Sequence, residues 1–122
     1  MVKKIKLYNN FKIPKSHQKS ILLIGNFDGF HLGHQKLFEL AKQYKKKNKI
    51  KFGVVTFDPV PKMFFNNNLK NYRITNLNQK IKYFKNYNVD FVIVKKFDKQ
   101  FSKMKSLNFI EQILSYFFFY IV

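Results

Sequence analysis

Three short apolar runs constrain what this chain can fold into: Ile21-Leu22-Leu23-Ile24, Phe52-Gly53-Val54-Val55-Thr56-Phe57 and Phe91-Val92-Ile93-Val94. Each is near-continuous rather than alternating, the pattern of a strand covered on both faces in a parallel sheet. The segments between them carry helical spacing. Leu37, Leu40, Ala41 and Tyr44 fall at i, i+3, i+4 and i+7, with Lys36, Glu39, Lys42, Lys45 and Lys46 on the other faces. Leu77, Ile81 and Phe84 repeat the pattern behind Thr75 or Asn76 as N-cap, and a last helix from Ser106 aligns Leu107, Ile110 and Leu114. Alternating strands and helices predict an α/β fold, an open doubly wound parallel sheet with right-handed crossovers. Ahead of the first run, residues 3–8 and 11–13 are expected to form a marginal hairpin around Asn9-Asn10.

At 122 residues the chain is read as a single domain, residues 1–122, with no internal repeat or linker. It contains no cysteine, which excludes disulfide scaffolds, thiolate metal sites and thiol nucleophiles. A formal charge of +18 suggests nucleic acid, but Arg73 is the only arginine among the 24 basic residues. Dedicated readers of DNA rely on arginine for bidentate contacts to guanine. Lys, Asn, Ile, Phe and Tyr are all abundant, the skew an A+T-rich genome imposes without any function. Attraction to polyanions that fades with salt is expected, but no specific nucleic-acid partner. The first apolar run is too short for a secretory signal, and residues 113–122 are too few to cross a bilayer. A cytoplasmic protein without a membrane partner is expected; oligomeric state is not legible.

The segment that carries chemistry is Gly25-Asn26-Phe27-Asp28-Gly29-Phe30-His31-Leu32-Gly33-His34-Gln35, where the first strand ends and the first helix begins. In open α/β sheets ligands bind outside the carboxyl ends of the strands. A helix N-terminus there presents free N–H groups and the positive end of a dipole, which suits phosphate. Gly25, Gly29 and Gly33 are three of the four glycines in the chain, allowing close backbone approach to a ligand. His31 and His34 flank Gly33, placed to stabilise charge on a transferring phosphoryl group, and Asp28 offers an oxygen to Mg²⁺ or an orienting acceptor. The two histidines also fit half of a metal site, or surface residues at a helix start; no third nitrogen or sulfur ligand is evident nearby. His17, in a lysine-rich loop, is expected to be solvent-exposed. Asp90, at the start of a strand, is expected to be structural.

His31-Leu32-Gly33-His34 is the HxGH signature of the nucleotidylyltransferase superfamily, and the run from Gly25 to His34 resembles the opening motif of bacterial FAD synthetases. Thr56-Phe57-Asp58-Pro59-Val60-Pro61 is similar to the F-D/E-P-x-P segment of that family, with Val60 where many members have histidine. Arg73-Ile74-Thr75, Val89-Asp90-Phe91-Val92 and the stretch from Phe97 to Leu114 extend the resemblance over residues 20–114. The resemblance implies a Rossmann-like nucleotidylyltransferase fold and transfer of AMP from ATP to FMN, with Mg²⁺, giving FAD and pyrophosphate. It implies that His31 and His34 contact the ATP phosphates as catalytic groups. Gly25, Asn26, Phe27, Asp28, Gly29 and Gly33 would form the ATP site, with Asp28 the metal contact. Phe57, Asp58, Pro59, Pro61 and Phe64 would shape the flavin side, where Phe57 or Phe64 either stacks on the flavin or simply packs in the core.

After Leu114 the family pattern continues with a strand, a G-x-x-F-x-F-G segment, a Ser/Thr-rich clamp with arginine, and a riboflavin kinase domain. Here Ser-Tyr-Phe-Phe-Phe-Tyr-Ile-Val follows instead. The expectation is a sheet incomplete at its C-terminus, a frame truncated or shifted after Leu114, a bare sheet edge, and impaired activity. The uncharged final stretch is either a buried strand or an aggregation hazard. Two further functions fit the residues: another small-molecule adenylyl- or cytidylyltransferase, and a non-catalytic basic module that binds nucleotide or nucleic acid.

Overall fold

The computed structural model describes residues 4–27, 29, 31–57, 77–96, 108, 111 and 118–121, the last four through their backbone. Strands β1 (Lys6–Tyr8), β2 (Lys19–Ile24), β3 (Lys51–Phe57), β4 (Phe91–Lys95) and β5 (Phe118–Ile121) form one sheet. Their order is β1-β4-β3-β2-β5, and every pairing is parallel. Helix α1 (Leu32–Asn48) joins β2 to β3, and α2 (Leu77–Lys85) lies between β3 and β4. This is the α/β parallel sheet that the apolar runs predict.

The runs are continuous because each strand is covered on both faces. Ile21, Leu23, Phe52, Val54 and Val92 pack with Phe38 and Ala41 of α1 and Phe84 of α2. On the opposite face Leu22, Val55, Phe91 and Ile93 pack beneath Phe11 and Ile13. Both helices therefore sit on one side, and the segment before β2 covers the other. From β2 the chain steps through β3 to β4 in one direction, whereas β5 lies on the far side of β2. The carboxyl end of β2 is thus the topological switch point, where an open α/β sheet leaves a crevice for ligand.

The expected hairpin does not form. Lys6, Leu7 and Tyr8 pair in parallel with Phe91, Val92 and Ile93. The Asn10 side chain accepts from the Lys12 N–H at 2.9 Å, an Asx turn that sends Phe11 and Ile13 down onto the sheet. Burying those two apolar side chains outweighs the few hydrogen bonds of a two-stranded ribbon. His17 is buried rather than exposed, because the short 3-10 turn Lys15–His17 lays its ring 4.8 Å from that of Phe91 and 6.0 Å from Tyr8.

On α1 the buried face is also turned from expectation. Leu40 is 63% exposed, whereas its near neighbour Phe38 is fully buried between Phe52 and Phe84. A phenylalanine two positions away buries more area than leucine and rotates the helix toward itself. The edge of β2 is not bare: Lys19 to Leu22 pair with residues 118–121. Of the last predicted helix, residues 108 and 111 are helical; Leu107, Ile110, Leu114 and the caps Thr75 and Asn76 lie outside the described residues.

Candidate active site

The site grows directly from the end of β2. The Gly25 N–H donates to the Val55 carbonyl at 3.0 Å, extending the ladder one residue beyond the strand. The Thr56 hydroxyl then donates to the Asn26 carbonyl at 3.2 Å, tying the loop to β3. Phe27 follows in the left-handed region at φ 51°, and Gly29 at φ 76°. For a phenylalanine that conformation is strained, and only firm anchoring sustains it. The anchor is the ring, 4% exposed and edge-on to Phe38 at 5.0 Å, His34 at 5.3 Å and Phe84 at 6.1 Å.

His31 is the N-cap of α1. Its Nδ1 accepts from the Gly33 N–H at 3.2 Å, and its carbonyl accepts from the Gln35 N–H at 3.0 Å. With Nδ1 used as acceptor, Nε2 is the nitrogen left to donate. The His34 ring stacks on His31 with centroids 3.7 Å apart and planes inclined by 24°. Gly33 is what permits this arrangement. A Cβ there would meet the His31 ring at 3.1–3.2 Å, so a side chain would crowd the imidazole off the first turn. His31 is exposed, and His34 is half-buried against the Phe27 ring. The result is a helix N-terminus carrying two stacked imidazoles and the positive dipole end, both suited to a polyanion.

Of the residues singled out in the sequence, Gly25, Asn26, Phe27, Gly29, His31, Gly33 and His34 come together at this corner. The Phe27 ring belongs to the core. Phe57 ends β3 half-buried. Asp28, Asp58, Pro59, Pro61 and Phe64 lie outside the described residues. Among the described residues no three His, Asp or Glu side chains form a metal cluster.

A family model described as FAD synthetase matches residues 13–118. The chain belongs to the FAD synthetase family. Its sequence is 39% identical over 102 residues to a bifunctional riboflavin kinase/FMN adenylyltransferase of Buchnera aphidicola subsp. Schizaphis graminum, covering 84% of this chain and 33% of the relative. The protein of the same name from Buchnera aphidicola subsp. Acyrthosiphon pisum is 41% identical over 102 residues, with the same coverage of 84% and 33%. That of Escherichia coli K12 is 34% identical over 94 residues, covering 77% and 30%. The chain thus spans about a third of the length of the curated relatives it matches. A solved structure described as a macrolide-efflux protein from Streptococcus pneumoniae superposes with TM-score 0.76 over 100% of this chain and 40% of its own. At 24% identity that likeness speaks to the fold alone.

One feature of the chain escapes the sequence reading. Lys80 is buried at 2% exposure behind the site, with Nζ 3.5 Å from the Thr56 hydroxyl. Its place between Leu77 and Ile81 on the apolar stripe was the available signal. At the opposite end of the sheet, the buried Asp90 carboxylate accepts from the Phe52 N–H at 2.8 Å and from Lys45 at 3.0 Å. Asp90 is structural, as its position predicts. No described helix is long and apolar enough to cross a membrane.

Proposed function

We propose that this chain is an adenylyl-transfer module that joins AMP from ATP to FMN. An FMN phosphate oxygen attacks the α-phosphorus of ATP, the bond from Pα to the bridging oxygen breaks, and FAD and pyrophosphate leave. The observation that supports this best is the stacked His31–His34 pair over the N-terminus of α1, at the switch point of a sheet whose family is FAD synthetase. The chemistry needs positioning and charge neutralisation rather than a covalent intermediate.

In this reading His31 and His34 donate to the phosphates. Gly25, Asn26, Gly29 and Gly33 admit the nucleotide to the backbone, and Phe27 is the floor beneath His34. Asp58, Pro59, Pro61 and Phe64, with Phe57, form the flavin side. The described donors at the site are imidazole and amide N–H groups rather than oxygens, so Mg²⁺ enters as part of the MgATP substrate, with Asp28 as its carboxylate.

The test is to supply ATP, Mg²⁺ and FMN and follow FAD and pyrophosphate by chromatography. Equal amounts of both products are expected. His31→Ala should lower the rate about 10- to 150-fold, the worth of one hydrogen bond to a charged group. A folded chain that makes no FAD, or that adenylylates another acceptor in preference to FMN, overturns the proposal.

A further inference from the structure

Lys80 breaks two local rules at once. It is charged yet 2% exposed. It is also the fourth residue of α2, in a first turn without an acidic residue, where the helix dipole disfavours a cation. Burying an ammonium is unfavourable unless it is held by partners. Departures of this kind concentrate where function demands them.

The neighbours of Lys80 suggest the demand. Its Nζ lies 3.5 Å from the Thr56 Oγ, which accepts from it and donates in turn to the Asn26 carbonyl at 3.2 Å. Thr56 is fully buried near the carboxyl end of β3. Three elements are thereby linked: α2, β3 and the glycine-rich loop. The direction of the relay matters. A trans peptide is planar with C=O and N–H opposed, so drawing the Asn26 carbonyl toward Thr56 turns the Phe27 N–H the other way, away from β3. Among the described residues that N–H has no acceptor. Belonging to a residue in the left-handed region, such an N–H can serve in an anion-binding nest.

We propose that Lys80 is a positioning residue for polyphosphate binding: through Thr56 it sets the Asn26–Phe27 peptide so that the Phe27 N–H faces the phosphates of ATP. The inference rests on the proposed nucleotide site and extends it to a residue of α2.

Calorimetry of ATP binding in excess Mg²⁺ tests it on the whole chain. Lys80→Met keeps the volume and removes the charge; it should weaken ATP binding by about tenfold or more, on the scale of a lost charged hydrogen bond. Thr56→Val should weaken it several-fold, and Thr56→Ser should restore it. Lys47→Met, an exposed control at the far end of α1, should have no effect in 0.5 M salt. The Lys80 effect should persist in that salt, because buried charges are poorly screened.

A purely structural lysine predicts a lower melting temperature with unchanged ATP affinity in the folded protein, which would overturn the inference. If Lys80→Met fails to fold, Thr56→Val decides: wild-type affinity there also overturns it. A wild-type chain that binds no ATP removes the proposed function and the inference with it. Binding that is strong in both wild type and Lys80→Met removes the inference alone.

Discussion

Gly53 lies in the middle of β3 with no side chain because its neighbour uses the space. It pairs with Phe91 of β4, and the Phe91 ring lies flat across it. A Cβ at position 53 would stand 2.8 Å from Phe91 Cε1 and nearer still to Cζ and Cε2. The ring would have to retreat by about 1 Å to regain ordinary contact, yet it is fully buried, with His17 at 4.8 Å and Tyr8 at 6.3 Å. Overpacking of this kind costs about 1–3 kcal/mol. Replacing glycine returns about 0.5–1 kcal/mol through the unfolded chain. Gly53→Ala should therefore destabilise by about 1–2 kcal/mol, which lowers the melting temperature of a domain this size by about 3–12 °C.

Thermal and urea unfolding followed by circular dichroism measure the change. Combining it with Phe91→Leu isolates the cause. If the clash is responsible, Gly53→Ala should be close to neutral in that background, with a coupling of about 1 kcal/mol or more. An unchanged or higher melting temperature for the single variant, or an equal cost in both backgrounds, would refute the reasoning.

Gly33→Ala should separate function from stability. Helix propensity favours alanine by about 1 kcal/mol, while displacing the His31 cap costs about as much, so the melting temperature should barely move. Adenylyl transfer should nonetheless fall at least tenfold, because the His31 ring loses its place; a fully active variant would contradict the role given to that ring. At the other end of the sheet, Asp90→Ala strands the Phe52 N–H and should cost about 2–3 kcal/mol by urea unfolding. Lys45→Met should cost less than Asp90→Ala, because the Phe52 N–H still holds the buried carboxylate and the Lys45 side chain, 21% exposed, is partly screened by water. Equal costs for the two would place the stabilisation in the ion pair rather than in the buried hydrogen bond.

Read alone, the sequence determined the three central strands and the corner that carries the candidate site. The runs at Ile21, Phe52 and Phe91 specify parallel strands because burial on both faces leaves no room for polar alternation. The ordered motif from Gly25 to His34 specifies the corner, since strand, glycine-rich turn and helix start are consecutive in the chain. Tertiary structure alone decided which side chain occupies which space. Phe38 displaces Leu40 from the core, His17 packs beneath Tyr8 and Phe91, and β1 pairs with β4 instead of folding back on itself. Each outcome is a competition between apolar groups for one volume, and local spacing does not encode the competitor. Lys80 shows the same limit most clearly. Position 80 lies on the inner stripe of α2 by spacing, but the contact of its lysine with Thr56, 24 residues earlier, is made by the sheet, which also brings Thr56 to the Asn26 carbonyl.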